Sequence, residues 1–134
     1  MKIVLDTNVY TDYAEGLPDV VDILAKRSSL IFVPAIVLGE LRCGFMKGSR
    51  QQFNENRLDR FMDVLKVRVI DVNDDVARKY ATIVLSLTKR GSKIPINDVW
   101  IAACCMSSGG ILLTRDKHFE AVDQLDKIIL QKGV

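Results

Sequence analysis

Histidine and cysteine are scarce in this chain: one of the first, three of the second, and no Cys-x-x-Cys pair. Protein zinc sites draw on several imidazole and thiolate ligands, so a zinc centre is not expected. Cys43, Cys104 and Cys105 are odd in number, and the adjacent pair points in different directions on a helix. They read as core thiols of a reducing cytoplasm rather than a disulfide framework. No apolar run reaches the roughly 18 residues a membrane span needs. The opening Met1-Lys2-Ile3-Val4-Leu5-Asp6 meets a carboxylate too soon for a signal peptide. There is no Gly-x-Gly-x-x-Gly and no phosphate loop ending in Gly-Lys-Ser/Thr, so nucleotide binding has no support. Repeats, low-complexity tracts and linkers are also missing, which leaves one domain over residues 1–134. A net charge of +2 does not by itself indicate a nucleic-acid partner.

What is present is an alternation of strand and helix signals. Short apolar runs at Lys2 to Leu5, Leu30 to Val33, Lys66 to Val72, Ile111 to Thr114 and Ile128 to Leu130 predict five strands. Between them lie a turn or two of helix from Asn8 to Glu15, closed by Gly16, and a helix from Pro18 to about Arg27. A helix follows from Ala35, then an amphipathic one from Gln51 to Leu65 with Phe53, Leu58, Phe61, Met62 and Leu65 inward. A long helix capped by Asn73 or Asp74 reaches Lys89 or Arg90. The sixth helix is apolar nearly all round from Val99 to Met106, which predicts burial on most sides. Pro95 keeps Ile94 extended, Asn97 is the expected N-cap, and the glycines at 109 and 110 end the helix. Short strands alternating with helices predict a three-layer α/β/α domain around a mostly parallel sheet of about five strands.

Four acids then fall at equivalent places. Asp6 follows the first strand and Asp116 the fourth. Glu40 lies in the first two turns of the helix after the second strand. Asp98 opens the helix that feeds the fourth strand, a helix expected to run antiparallel to it. All four are expected at the carboxyl edge of the sheet, where parallel sheets bind ligands. Asp98 alone could serve as a helix cap and dipole partner. Four converging carboxylates repel one another, and a hard divalent cation removes the conflict. With oxygen donors only, Mg²⁺ is expected, with Mn²⁺ as a substitute. The single His118 is expected at the surface or behind the ligands, not as a ligand itself. An aspartyl-nucleophile phosphatase would place a second Asp two residues after Asp6, where this chain has Asn8.

Four stretches carry a family resemblance. Leu5-Asp6-Thr7-Asn8, Gly39-Glu40-Leu41-Arg42-Cys43-Gly44, Pro95-Ile96-Asn97-Asp98-x-x-Ile101-Ala102-Ala103 and Thr114-Arg115-Asp116-x-x-Phe119 occur in the order seen in PIN-domain ribonucleases. The chain is most similar to VapC-type toxins of prokaryotic toxin–antitoxin pairs, from Lys2 to about Leu130. The resemblance implies an α/β/α fold, metal-dependent cleavage of RNA, a homodimer, and inhibition by a cognate VapB-like antitoxin. The family's acids fall on Asp6, Glu40, Asp98 and Asp116, expected as both metal ligands and catalytic residues. Thr7, Asn8 and Thr114 match polar positions near the metal.

Both lines of reasoning lead to hydrolysis of a phosphodiester by metal-activated water. Asp6 and Asp98 are the first expected ligands, then Asp116. Glu40 is open between a second ion, a bound water and the general base. Arg42, Arg115 and Lys117 flank the acids and are candidate RNA contacts that would offset the negative pocket. The competing reading is a non-catalytic PIN-like module that binds RNA or protein.

Overall fold

The computed structural model describes residues 1–28 and 30–131. β1 (Lys2–Leu5) enters the centre of the molecule with Ile3, Val4 and Leu5 fully buried. Such a run, apolar on both faces, is what a strand covered on both sides requires. α1 (Thr7–Ala14) and α2 (Pro18–Lys26) lead to β2 (Leu30–Pro34), and α3 (Ala35–Lys47) and α4 (Gln51–Val64) to β3 (Arg68–Ile70). α5 (Asp74–Lys89) and α6 (Ile96–Ser108) return the chain to β4 (Ile111–Thr114), and a 3-10 turn (Lys117–Ala121) leads into β5 (Lys127–Ile129).

The five strands pair in the order β3-β2-β1-β4-β5, every pair parallel. From β1 the chain winds outward through β2 and β3, then returns to place β4 on the other side of β1. Right-handed crossovers put the helices on opposite faces on either side of that reversal, which gives the three layers. The reversal falls between β1 and β4, so the crevice at their carboxyl ends is the expected ligand site. Asp6 and Thr114 stand at those two ends.

α6 is the most buried helix, with Val99 and every residue from Ile101 to Cys105 inside. It packs on α5, and Gly109 closes it in the left-handed conformation, φ 73°. At Gly110 a Cβ would lie 2.9 Å from Val4 Cγ2, so the turn into β4 passes too close to β1 for a side chain. Asn73 caps α5, its side chain accepting from Val76 N at 3.0 Å.

Three expectations are corrected. Asn97 is not the cap of α6: the helix starts two residues earlier than expected, at Ile96, and the Pro95 carbonyl accepts from Asp98 N and Val99 N at 3.0 and 3.3 Å. Phe53 is not inward. The residue is 48% exposed, with the Arg50 guanidinium 4.0 Å from the ring centroid. The third strand is three residues, not seven, because its pairing with β2 runs only from Phe32 to Pro34, after which α3 begins.

Candidate active site

Asp6 leaves β1 in extended conformation and caps α1, its Oδ1 accepting from Thr7 N at 2.7 Å. Its other oxygen accepts from the Thr114 hydroxyl at 2.6 Å and from the Asn8 amide at 3.4 Å. Thr114 is fully buried at the end of β4, and its Oγ1 also accepts from Asp116 N at 2.9 Å. One hydroxyl therefore ties the end of β1 to the segment carrying Asp116. Asp6 itself is only 4% exposed. Burial raises its pKa, the Thr114 and Thr7 hydrogen bonds work against that, and the charges of Glu40 and Asp116 add to it.

Glu40, on α3, accepts from Thr7 Oγ1 at 2.8 Å, which brings the helix after β2 to the same edge. Asp98 sits in the first turn of α6 with its side chain 13% exposed. Burial comes first in pushing its pKa up to about 6, followed by the charges of Asp116 and Asp6, with the His118 hydrogen bond opposing. Asp98 lies inside the first turn, past the N-cap Pro95, so it does not occupy the capping position. Among the described residues its partner is the His118 ring, whose Nδ1 lies 3.3 Å from Asp98 Oδ2. The same nitrogen lies 3.0 Å from Asp116 Oδ1. Asp116 in turn caps the 3-10 turn by accepting from His118 N at 2.9 Å.

All four sequence-predicted acids thus stand in one electrostatic field at the end of β1 and β4. His118, expected at the surface or behind the ligands, is exposed and bridges two of the acids. A lone histidine on a polar turn carries no periodic signal; its only clue was being two residues after Asp116. Thr7, Asn8 and Thr114 all reach the site, and Asn8 Oδ1 also accepts from Arg115 N at 3.2 Å.

The basic candidates divide. The Arg115 side chain is 11% exposed and ion-paired with Asp12 and with both oxygens of Asp19, the latter at 2.9 Å. Arg42 pairs with Glu55 and lies 4.0 Å from Asp59. Both guanidiniums are engaged within the chain, because acids on α1, α2 and α4 reach them first. Lys117 is exposed and lines an open depression of about 1040 Å³ with Asn8, Asp116 and Glu120. A second depression, about 470 Å³, lies on the Glu40 side and is lined by Gly39, Lys47 and Asn97. Lys47 was not singled out in the sequence, since it lies outside every motif.

The donors fit a hard divalent cation. Among the described residues no Lys or Arg pairs with any of the four acids, and the buried Asp6 has only neutral hydrogen-bond donors. Oxygen atoms of Asp98 and Asp116 and a nitrogen of His118 lie within 4.8 Å of one another, the span one ion can bridge.

Residues 3–125 match the PIN domain family. Ribonuclease VapC5 of Mycobacterium tuberculosis is 30% identical over 120 residues, covering 90% of this chain and 87% of that protein. VapC ribonuclease Y4jK of Sinorhizobium fredii is 33% identical over 127 residues, covering 89% and 91%. Among solved structures, a chain of VapBC2 from Rickettsia felis, bound to a DNA fragment from its promoter, superposes with TM-score 0.84 at 26% identity, covering 98% of this chain and 100% of that one.

Proposed function

The chain belongs to the PIN-domain family, and on that premise we propose that it is a divalent-metal-dependent endoribonuclease, the toxin of a toxin–antitoxin pair. The observation that carries the reading is four carboxylates in one field, two of them with raised pKa and none with an Arg or Lys partner among the described residues. A structural role alone gives no reason to gather them, since their mutual repulsion weakens the fold.

In this reading Asp6, Asp98 and Asp116 hold Mg²⁺, with Mn²⁺ able to replace it. Bound there, the cation supplies positive charge against the phosphate and acidifies water. The protein's own groups do the rest. Thr114 and Thr7 fix the two oxygens of Asp6, so that its carboxylate is set before substrate arrives. Glu40 has one oxygen held by Thr7 and the other directed to no described partner, which suits it to accept a proton from the attacking water. Lys117 and Lys47 stand in the depressions on either side of the acids, where they can meet the flanking phosphates of a single strand.

A VapB-like antitoxin is the proposed partner, laying a segment over this edge with an Arg or Lys against the acids. A basic group there replaces the cation's charge in a desolvated pairing. The exposed Met46, Phe53 and Val64 of the α3–α4 pair support a homodimer in addition. Light scattering at micromolar concentration tests the dimer.

The activity test uses chain purified free of antitoxin and a mixed RNA substrate. Cleavage with Mg²⁺ or Mn²⁺, silence in excess EDTA, and silence of a folded Asp98→Asn variant are expected. Full-rate cleavage in chelator overturns the metal reading. Equal cleavage by wild type and Asp98→Asn assigns the activity to a contaminant and leaves the non-catalytic module standing.

A further inference from the structure

The only histidine of the chain stands between two of the carboxylates proposed to hold the metal. Its Nδ1 is 3.3 Å from Asp98 Oδ2 and 3.0 Å from Asp116 Oδ1, with the side chain 55% exposed. Neighbouring ligands of an octahedral ion with bonds of roughly 2.0–2.1 Å lie about 3 Å apart. Nδ1 already has that spacing to an oxygen of each acid, and the three donor atoms lie within 4.8 Å of one another.

Resting on the metal-dependent reading above, we propose that His118 Nδ1 is itself a ligand of the ion held by Asp98 and Asp116. The site then offers a nitrogen beside its oxygens. Mg²⁺ gains little from an imidazole, whereas transition metals bind it increasingly well from Mn²⁺ onward. His118 thereby sets the metal preference of the centre, favouring Mn²⁺ over Mg²⁺ more than an all-carboxylate set does. The 3-10 turn is what makes this available: Asp116 accepts from His118 N at 2.9 Å, which folds the histidine back over its own neighbour. For Nδ1 to bind a metal, the ring proton must sit on Nε2, and the ring's exposure lets water satisfy that N–H.

Because there is one histidine, labelling the tag-free full-length chain with ¹⁵N-histidine marks this ligand alone. The probe is Mn²⁺ without RNA, followed by titration and pulsed electron paramagnetic resonance. The expected result is a directly coordinated nitrogen coupling that changes between ¹⁴N- and ¹⁵N-histidine samples. His118→Ala abolishes it and weakens Mn²⁺ binding about tenfold or more, while Mg²⁺ binding changes much less. His118→Asn, which returns an oxygen donor near the Nδ1 position, restores Mg²⁺ binding to the wild-type level without the nitrogen coupling. Thermal melts of both variants check that they fold. Mn²⁺ bound without histidine coupling, or equal losses for Mn²⁺ and Mg²⁺ in His118→Ala, overturns the inference and leaves the proposed nuclease intact. Failure of the wild type to bind either ion overturns the metal reading and this inference with it.

Discussion

Replacing Asp98 by Asn should make the metal-free protein more stable near pH 7.5, not less. Asp98 ionises near pH 6 in the folded chain against 3.8 ordinarily, so its charge is easier to carry unfolded. That difference corresponds to roughly 3 kcal/mol held against the folded state when the group is ionised. Asn keeps the shape and removes the charge. It also gives up about 0.3–1 kcal/mol of helix-dipole interaction at the start of α6, and Asp6 and Asp116 relax part of the repulsion in wild type. A net gain of about 1–2 kcal/mol is expected, or roughly 4–8 °C in Tm for a domain of this size. The pH dependence has a definite sign. Between about pH 6 and 3.8 the folded state binds more protons than the unfolded one, so this contribution to stability rises as pH falls. The charge penalty is fully present above pH 6 and gone below 3.8. Melts of wild type and Asp98→Asn in EDTA should therefore diverge at pH 7.5 and converge near pH 4. Saturating Mn²⁺ should reverse the order by stabilising wild type, roughly 2.7 kcal/mol at a hundredfold excess over Kd, and the variant far less. A variant less stable than wild type by about 0.5–2 kcal/mol at both pH values, with an equal metal shift, would make Asp98 a helix cap and refute the reasoning.

Thr114→Val should cost about 1–3 kcal/mol in chemical denaturation, because the buried hydroxyl serves Asp6 and Asp116 N together and valine leaves both short of a partner. Thr114→Ser should recover most of the loss; equal denaturation midpoints for the wild type and Thr114→Val would show that the hydroxyl bridge contributes nothing. Arg115→Ala should lower Tm by freeing Asp12 and Asp19 while RNA affinity stays near that of wild type, and Arg115→Lys should not restore Tm, since a lysine cannot span both acids. Lost RNA affinity at unchanged Tm would return Arg115 to the role of phosphate contact.

The architecture was legible because its signals are local. Apolar runs without alternation, such as Ile3-Val4-Leu5 and Ile111-Leu112-Leu113, read directly as strands covered on both faces, and Gly16, Gly91 and Gly109 mark helix ends whose positive φ follows from backbone sterics. The placement of Asp6, Glu40, Asp98 and Asp116 at one edge was legible as well, since in a parallel α/β domain each element's end fixes the edge its terminal residue occupies. Phe53 was misplaced because helical periodicity names two faces without saying which carries an arginine over the ring. The direction of Arg42 and Arg115 was misjudged for a related reason: a basic residue beside an acid motif pairs with whichever carboxylate the folded chain brings nearest, and Asp12, Asp19, Glu55 and Asp59 lie on other helices.

By itself, then, the sequence determined the element order, the buried sixth helix and the edge of the sheet to which the acids go, all consequences of periodicity and chain direction. Only the tertiary structure decided which side chains meet. The Thr114 hydroxyl bridges two acid-bearing segments, 108 residues separating it from Asp6, and the single histidine settles between Asp98 and Asp116. Such contacts depend on strand register, which sets β1 beside β4, and on the turn that follows β4.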